Sequence, residues 1–288
     1  MCAVMSCRRK RLAMKKTIIT ACVLLSVLSA AMARQTGHGN INVVILGDSN
    51  TWIGGDDCGN ERGWNKWFKD FFGPASCRSY ARSGATWTNT VRTKENTAEN
   101  IAVLGDDNVI YNQIMRLLQA VSRGTQPTPD LIIIAAGTND AWFYDKRPGV
   151  FSPCDGSDFQ VDGTPITNLP PGRMTSLPAA LHHGCGLLRE SFPDARIVLL
   201  TPLQCTATSL GNIRRVGDIM EECAMQMGIS VIRQDRLGCI DRERELKKKR
   251  YTSDGTHTNA EGAKRNGAII ARHISSLLRK ETKTKNKN

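Results

Sequence analysis

Beyond its N-terminus the chain has no run of eighteen apolar residues, so no transmembrane helix is expected in the mature protein. It has no C-x-x-C pair, which leaves a zinc-ribbon or thioredoxin-type reading without support. No internal repeat and no interdomain linker interrupts it. What remains is 288 residues, 40% hydrophobic, with 25 glycines. That composition suits one large globular α/β domain better than a disordered chain.

The N-terminus reads as a targeting segment. Arg8-Arg9-Lys10-Arg11 and Lys15-Lys16 form a basic region, 17–28 is a short apolar stretch, and Ala31-Met32-Ala33 fits a small-x-small cleavage site. Residues 1–33 are therefore expected to be a signal peptide, with 34–280 a single domain and 281–288 a basic, disordered tail. Met14 offers a second natural start. Losing six basic residues with the leader lowers the net charge from +12 to +6. Much of that excess sits in Lys247-Lys248-Lys249-Arg250 and in the tail, where a solvated face is the simplest reading. Export also argues against a nucleic-acid partner. Seven cysteines follow the leader: Cys58, Cys77, Cys154, Cys185, Cys205, Cys223 and Cys239. An oxidising compartment would pair some of them, and an odd number leaves at least one over. Cys185 and Cys223 lie in helical patterns and read equally well as core.

Four short β-rich apolar runs stand out at 41–46, 131–135, 197–200 and 229–232, with a weaker fifth at 77–81. Near-continuous runs of this kind suit strands covered on both faces. Helical patterns fall between and after them, at 63–72, 100–122, 177–191, 212–227 and 259–278. The alternation predicts a parallel sheet with helices on both sides. One segment, 142–175, breaks the rhythm with five prolines and little periodicity. It starts beyond a strand's C-terminal end, where open α/β sheets bind ligands, and is expected to be a long loop at the site rim.

Chemistry-bearing residues gather at the same ends. Gly47-Asp48-Ser49 follows the first run, Ser83-Gly84 the second, and Gly137-Thr138-Asn139-Asp140 the third. Asp254-Gly255-Thr256-His257 precedes the last helix. Each has a structural explanation alone. Ser49 or Asn139 would cap a helix or loop, Asp254-Gly255 would make a turn, and His257 would start a helix. Together they supply a hydroxyl, an imidazole to take its proton, a carboxylate to orient the imidazole, and donors for an oxyanion.

This order of blocks resembles the SGNH hydrolases, the GDSL esterase/lipase family, over about residues 41–275. Asn50 stands where the family name has leucine, a change expected to affect local packing more than chemistry. The resemblance implies a flavodoxin-like three-layer αβα sandwich with a five-stranded parallel sheet. It also implies Ser49 as nucleophile, His257 as general base and Asp254 as its orienting carboxylate. The Ser49 and Gly84 N–H groups and the Asn139 side chain would form the oxyanion hole. It implies an acyl-enzyme and no metal or organic cofactor. The α/β-hydrolase elbow G-x-S-x-G is absent, since position 51 is threonine.

The ester itself is less legible. Trp52, Trp87 and Trp142 each fall three residues past a motif residue, where indole faces would stack on sugar rings or pack under the motif loops. Trp64 and Trp67 suit a helix core. Segment 142–175 is polar, with Asp145, Lys146, Asp155, Asp158 and Asp162, unlike the apolar lid expected of a lipid enzyme. The expectation is an exported carbohydrate O-acetylesterase acting on a small-molecule or glycan ester, periplasmic or extracellular. The alternatives are a lipase, lysophospholipase or thioesterase of the same family, and an inactive glycan-binding protein.

Overall fold

Apolar runs become strands here because alternate side chains enter two separate buried layers. The computed structural model describes residues 38–98, 108–160, 163 and 165–285. Its one sheet contains β1 (Asn42–Gly47), β2 (Ser76–Ser79), β3 (Leu131–Ala135), β4 (Arg196–Leu200) and β5 (Ser230–Ile232). All neighbours pair in parallel, in the order β2-β1-β3-β4-β5. This is the flavodoxin-like order, and its switch point lies between β1 and β3.

The helices are α1 (Ser49–Trp52), α2 (Trp64–Phe72), α3 (Ile110–Ser122), α4 (Thr138–Phe143) and α5 (Leu177–Ser191). They continue as α6 (Leu210–Met227), α7 (Gln234–Leu237), α8 (Arg242–Lys247) and α9 (Ala260–Lys285). On one face of the sheet, Val44, Leu46, Ile132, Ile134 and Leu199 meet Ile114 and Leu117 of α3, Leu181 of α5, and Val216 and Met220 of α6. On the other, Val43, Ile45, Leu131, Ile133, Val198 and Leu200 meet Trp64, Phe68 and Phe72 of α2 and Ile270 and Ile274 of α9. A strand's side chains alternate in direction, so consecutive residues feed opposite cores. The expected three-layer αβα sandwich is what forms.

Several boundaries differ from the sequence reading. The helix expected over 100–122 starts at Ile110, and 99–107 lie outside the described residues. The last helix continues to Lys285, into the stretch expected to be a disordered tail. Segment 142–175 is less loop-like than expected. Its first two residues finish α4, and 3-10 turns occupy Pro148–Phe151, Gly156–Asp158 and Pro171–Arg173. Val150 and Met174 anchor it in the core beside α5. Trp64 is buried as expected, whereas Trp67 is partly exposed, with the ammonium groups of Lys66 and Lys264 over its ring. The seven cysteines among the described residues are free thiols, and Cys185 and Cys223 are core residues. The leader expected at 1–33 lies outside the described residues. Among those described, no helix is long and apolar enough to cross a membrane.

Phe68 tests the α2 layer. It is fully buried, stacks on Phe72 at 4.9 Å and meets Trp64 edge-on at 6.0 Å. Phe68→Ala should destabilise the fold by about 3–5 kcal/mol, measured by urea unfolding. A loss under about 1 kcal/mol would show that this layer is not tightly packed.

Candidate active site

The turn after β1 determines where Ser49 stands. A Cβ on Gly47 would lie 2.6 Å from Thr51 Oγ1 and 2.7 Å from the Ala135 carbonyl oxygen, so only glycine fits under α1. Asp48, not Ser49, caps the helix. Its Oδ1 accepts the Asn50 N–H at 3.0 Å. Ser49 is the first helical residue, a position whose N–H has no partner within the helix. Gln113 of α3 clamps the turn from below. Its Oε1 accepts the Gly47 N–H at 2.8 Å, and its Nε2 donates to the Gly47 carbonyl at 2.9 Å. Asn50 is buried, and its N–H bond to Asp48 makes it part of the cap.

The histidine arrives from the far end of the chain on a tightly bonded loop. Asp254 Oδ1 accepts the N–H groups of Thr256 at 2.8 Å and His257 at 2.7 Å. Its Oδ2 lies 2.6 Å from His257 Nδ1. His257 Nε2 lies 2.9 Å from Ser49 Oγ, across 208 residues of sequence. Gly255 has φ of +96°, and a Cβ there would come within 2.0 Å of Thr206 Oγ1. Buried Glu245 of α8 accepts the N–H groups of Arg250, Tyr251 and Thr252 and the Thr252 hydroxyl. That one carboxylate anchors the approach to the loop. Partial burial raises the Asp254 pKa, but hydrogen bonds from the His257 ring, its N–H and the Thr256 N–H outweigh this and hold it at about 2. Asp254 is therefore an anion at neutral pH, although its side chain is half exposed.

The other two blocks lock onto the first. The Arg82 N–H donates to the Gly47 carbonyl at 3.1 Å, bringing the loop after β2 against the Ser49 turn. Asn139, buried on α4, donates from Nδ2 to the Ala85 carbonyl at 2.8 Å, which leaves its second Nδ2 hydrogen free of that bond. Gly84 has φ of +76°, a conformation that favours glycine. Among the described residues, no acceptor is bonded to the Ser49 or Gly84 N–H. Asp140 holds this loop from within, accepting the Trp87 and Thr88 N–H groups at 3.0 Å each and the Thr88 hydroxyl at 2.8 Å. Gln113, Asp140 and Glu245 were not singled out from sequence. The only hint was Asp140's place beside Asn139.

The three tryptophans separate. Trp52 is 44% exposed and Trp142 53% exposed. Trp87 is 1% exposed and belongs to the core beside α3 and α5, which is the second of the two placements expected of it, packing under the motif loops. Asp140 draws the Trp87 N–H inward, and the ring follows into the apolar layer.

Asp48 carries a testable cost. Burial pushes its carboxyl up to about 6, against hydrogen bonds from the Asn50 N–H and Thr138 and the field of His257. Burial likewise raises the Asp140 carboxyl. A folded pKa above the unfolded value of 3.8 means that the folded state binds the proton more tightly. Asp48 then favours folding below about pH 4 and disfavours it progressively up to about pH 6. Asp48→Asn retains a capping oxygen without the charge. Relative to wild type, it should gain roughly 2–3 kcal/mol of stability between pH 4 and pH 7 in paired urea melts. A difference that does not change with pH would refute this account.

A model of the GDSL-like Lipase/Acylhydrolase family matches residues 45–265, from β1 into α9. Solved structures resemble the chain at low identity. A protein from Lactobacillus plantarum is 16% identical with a TM-score of 0.53, covering 84% of this chain and 98% of that one. A possible lipase from Chitinophaga pinensis is 15% identical with a TM-score of 0.52, covering 84% and 99%. A candidate GDSL-like lipase from Bacteroides uniformis is 22% identical with a TM-score of 0.50, covering 82% and 96%. These likenesses speak for the fold. No curated protein matches the sequence. The family match takes in all four motif blocks, and the chain belongs to the GDSL-like lipase/acylhydrolase family of ester-hydrolysing enzymes.

Proposed function

We propose that the chain is an exported serine esterase that works through an acyl-enzyme and removes O-acetyl groups from carbohydrates. The observation that carries the catalytic part is His257, 2.9 Å from Ser49 Oγ on one side and 2.6 Å from Asp254 Oδ2 on the other. In this reading Nδ1–H donates to the Asp254 anion, which leaves Nε2 as the acceptor for the Ser49 proton. Ser49 Oγ attacks the ester carbonyl carbon as His257 takes the proton. The Ser49 and Gly84 N–H groups and Asn139 Nδ2 receive the developing oxyanion. The intermediate collapses, and His257 returns the proton to the departing alcohol. Water then attacks the acyl-serine with His257 as base, which frees the acid and restores Ser49.

Support for a sugar ester comes from the rim. Trp52 and Trp142 expose their rings one helical turn past Ser49 and Asn139. Exposed indoles at such a place suit stacking on a pyranose face. The segment entered at Trp142 presents exposed Asp145, Lys146 and Asp155, which suit a hydroxyl-rich substrate better than a lipid chain. The leader-like residues 1–33 support export.

Ser49→Ala should lower p-nitrophenyl acetate turnover by roughly 10⁴-fold or more while the circular dichroism spectrum stays unchanged. Retained turnover would remove Ser49 from the nucleophile role, and an inactive wild type would favour a glycan-binding protein. Asn139→Ala should lower kcat by ~10²–10³-fold, the usual loss for one oxyanion donor. An effect on KM alone would place Asn139 elsewhere. Across acyl chain lengths, acetate should be preferred. A preference for octanoate or longer would favour the lipase reading over the sugar ester.

A further inference from the structure

Two thiols meet behind the loop that follows α1. Cys58 Sγ and Cys77 Sγ lie 3.6 Å apart, both buried. Cys58 closes the turns after Trp52, and Cys77 lies in β2. The other five cysteines make no sulfur–sulfur hydrogen bond among the described residues. The same two segments are also joined by the Ser79 N–H, which donates to the Asp56 carbonyl at 2.8 Å. Arg82 adds an ion pair to Asp56 at 2.9 Å. Asn65 donates its side-chain amide to Cys58 Sγ at 3.5 Å. Cys58 is the one described non-glycine residue with positive φ, at +54°. A residue with a side chain is disfavoured there, so the contacts of the thiol must offset a local backbone cost. A disulfide needs sulfurs about 2.0 Å apart, so closure requires the two thiols to approach further from the present contact.

We propose that Cys58 and Cys77 are a disulfide site, closed when the chain folds in the presence of a small disulfide oxidant of the glutathione type. One cysteine thiolate attacks the oxidant's disulfide, forming a mixed disulfide and releasing one glutathione thiol. The second cysteine attacks the mixed disulfide and releases the other. Both protein thiol protons end on glutathione, and the two electrons from the cysteines reduce the oxidant. The closed bond would fasten the loop that follows α1, the helix of Ser49 and Trp52, to the strand that leads to Gly84. The contact with Cys58, together with burial, pushes the Cys77 thiol above its ordinary range. Closure should therefore be slow in the folded chain and faster during refolding.

The test uses the full chain with its ten cysteines. One sample is folded and then incubated with oxidised glutathione. A second is unfolded, reduced and refolded in a glutathione redox buffer. Both are digested with trypsin without reductant and analysed by mass spectrometry. The expected product links peptide 35–62 to peptide 70–78, appears sooner in the refolded sample and disappears on reduction. The linked chain should melt about 5–10 °C above the reduced one. A Cys58→Ala/Cys77→Ala variant should show no such redox-dependent difference in Tm. Absence of the linked peptide from both samples would overturn the proposal, as would linkage of Cys58 or Cys77 to another cysteine.

Discussion

The N–H and the carbonyl of Gly47 are both bonded to Gln113, and the same carbonyl takes the N–H of Arg82. Asp48 N–H meanwhile donates to the Ala135 carbonyl at 3.2 Å, extending the β1–β3 ladder by one residue. At the switch point of the sheet the backbone is thus held from below by α3, from one side by β3 and from the other by the loop after β2. Such satisfaction is what lets a strand stop abruptly and turn into α1 without leaving buried polar groups unpaired. Displacement of Gly47 would move Ser49, the Gly84 loop and the Asn139 helix together.

The layers of the fold were legible because their signal is local and repetitive. Val43 to Leu46 alternate between two cores, and a continuous apolar run is how that alternation looks in sequence. The four chemical blocks were legible for a related reason. The Asp254–His257 contacts span three residues, and the Ser49 turn is a compact strand-to-helix junction. Gln113 lies 66 residues from its partner Gly47, and Asp140 lies 53 from Trp87. An amide or carboxylate bonded to distant backbone leaves no periodic trace. The tryptophans show the limit from the other side. Trp52, Trp87 and Trp142 have the same spacing from motif residues, but spacing does not encode depth. Trp52 and Trp142 ride on short helices beyond the C-terminal ends of β1 and β3, whereas Trp87 lies on a loop that Asp140 pulls into the core.

The carboxylates near Ser49 show how environment divides one functional group into different tasks. Asp254 is half exposed yet has the lowered pKa, because three N–H groups point at it. Asp48 and Asp140 are fully enclosed, and burial raises both despite their hydrogen bonds. Asp48 also feels Asp140 as a like charge. Charge at the positions beneath the serine therefore costs stability, whereas the exposed Asp254 carries its charge with stabilisation. This arrangement places a secure anion on the histidine's far side, where the proposed mechanism forms an imidazolium during proton transfer.

The same comparison explains why the histidine loop can be both exposed and ordered. Its internal bonds are all within a few residues, so the Asp254–His257 pair is assembled locally and needs little help from the core. What the rest of the protein must supply is its position relative to Ser49. Glu245 does this by accepting from four donor groups of residues 250–252, and Thr206 does it by donating its N–H to the Gly255 carbonyl at 2.8 Å. A Cβ at position 255 would collide with that same threonine. The loop is thus pinned by one buried carboxylate before it and one close backbone approach within it. Both pins lie on segments that follow β4 and β5, on the opposite side of β3 from β1. The Nε2–Oγ contact therefore spans the switch crevice, and its length records how accurately the two halves of the sheet are held together.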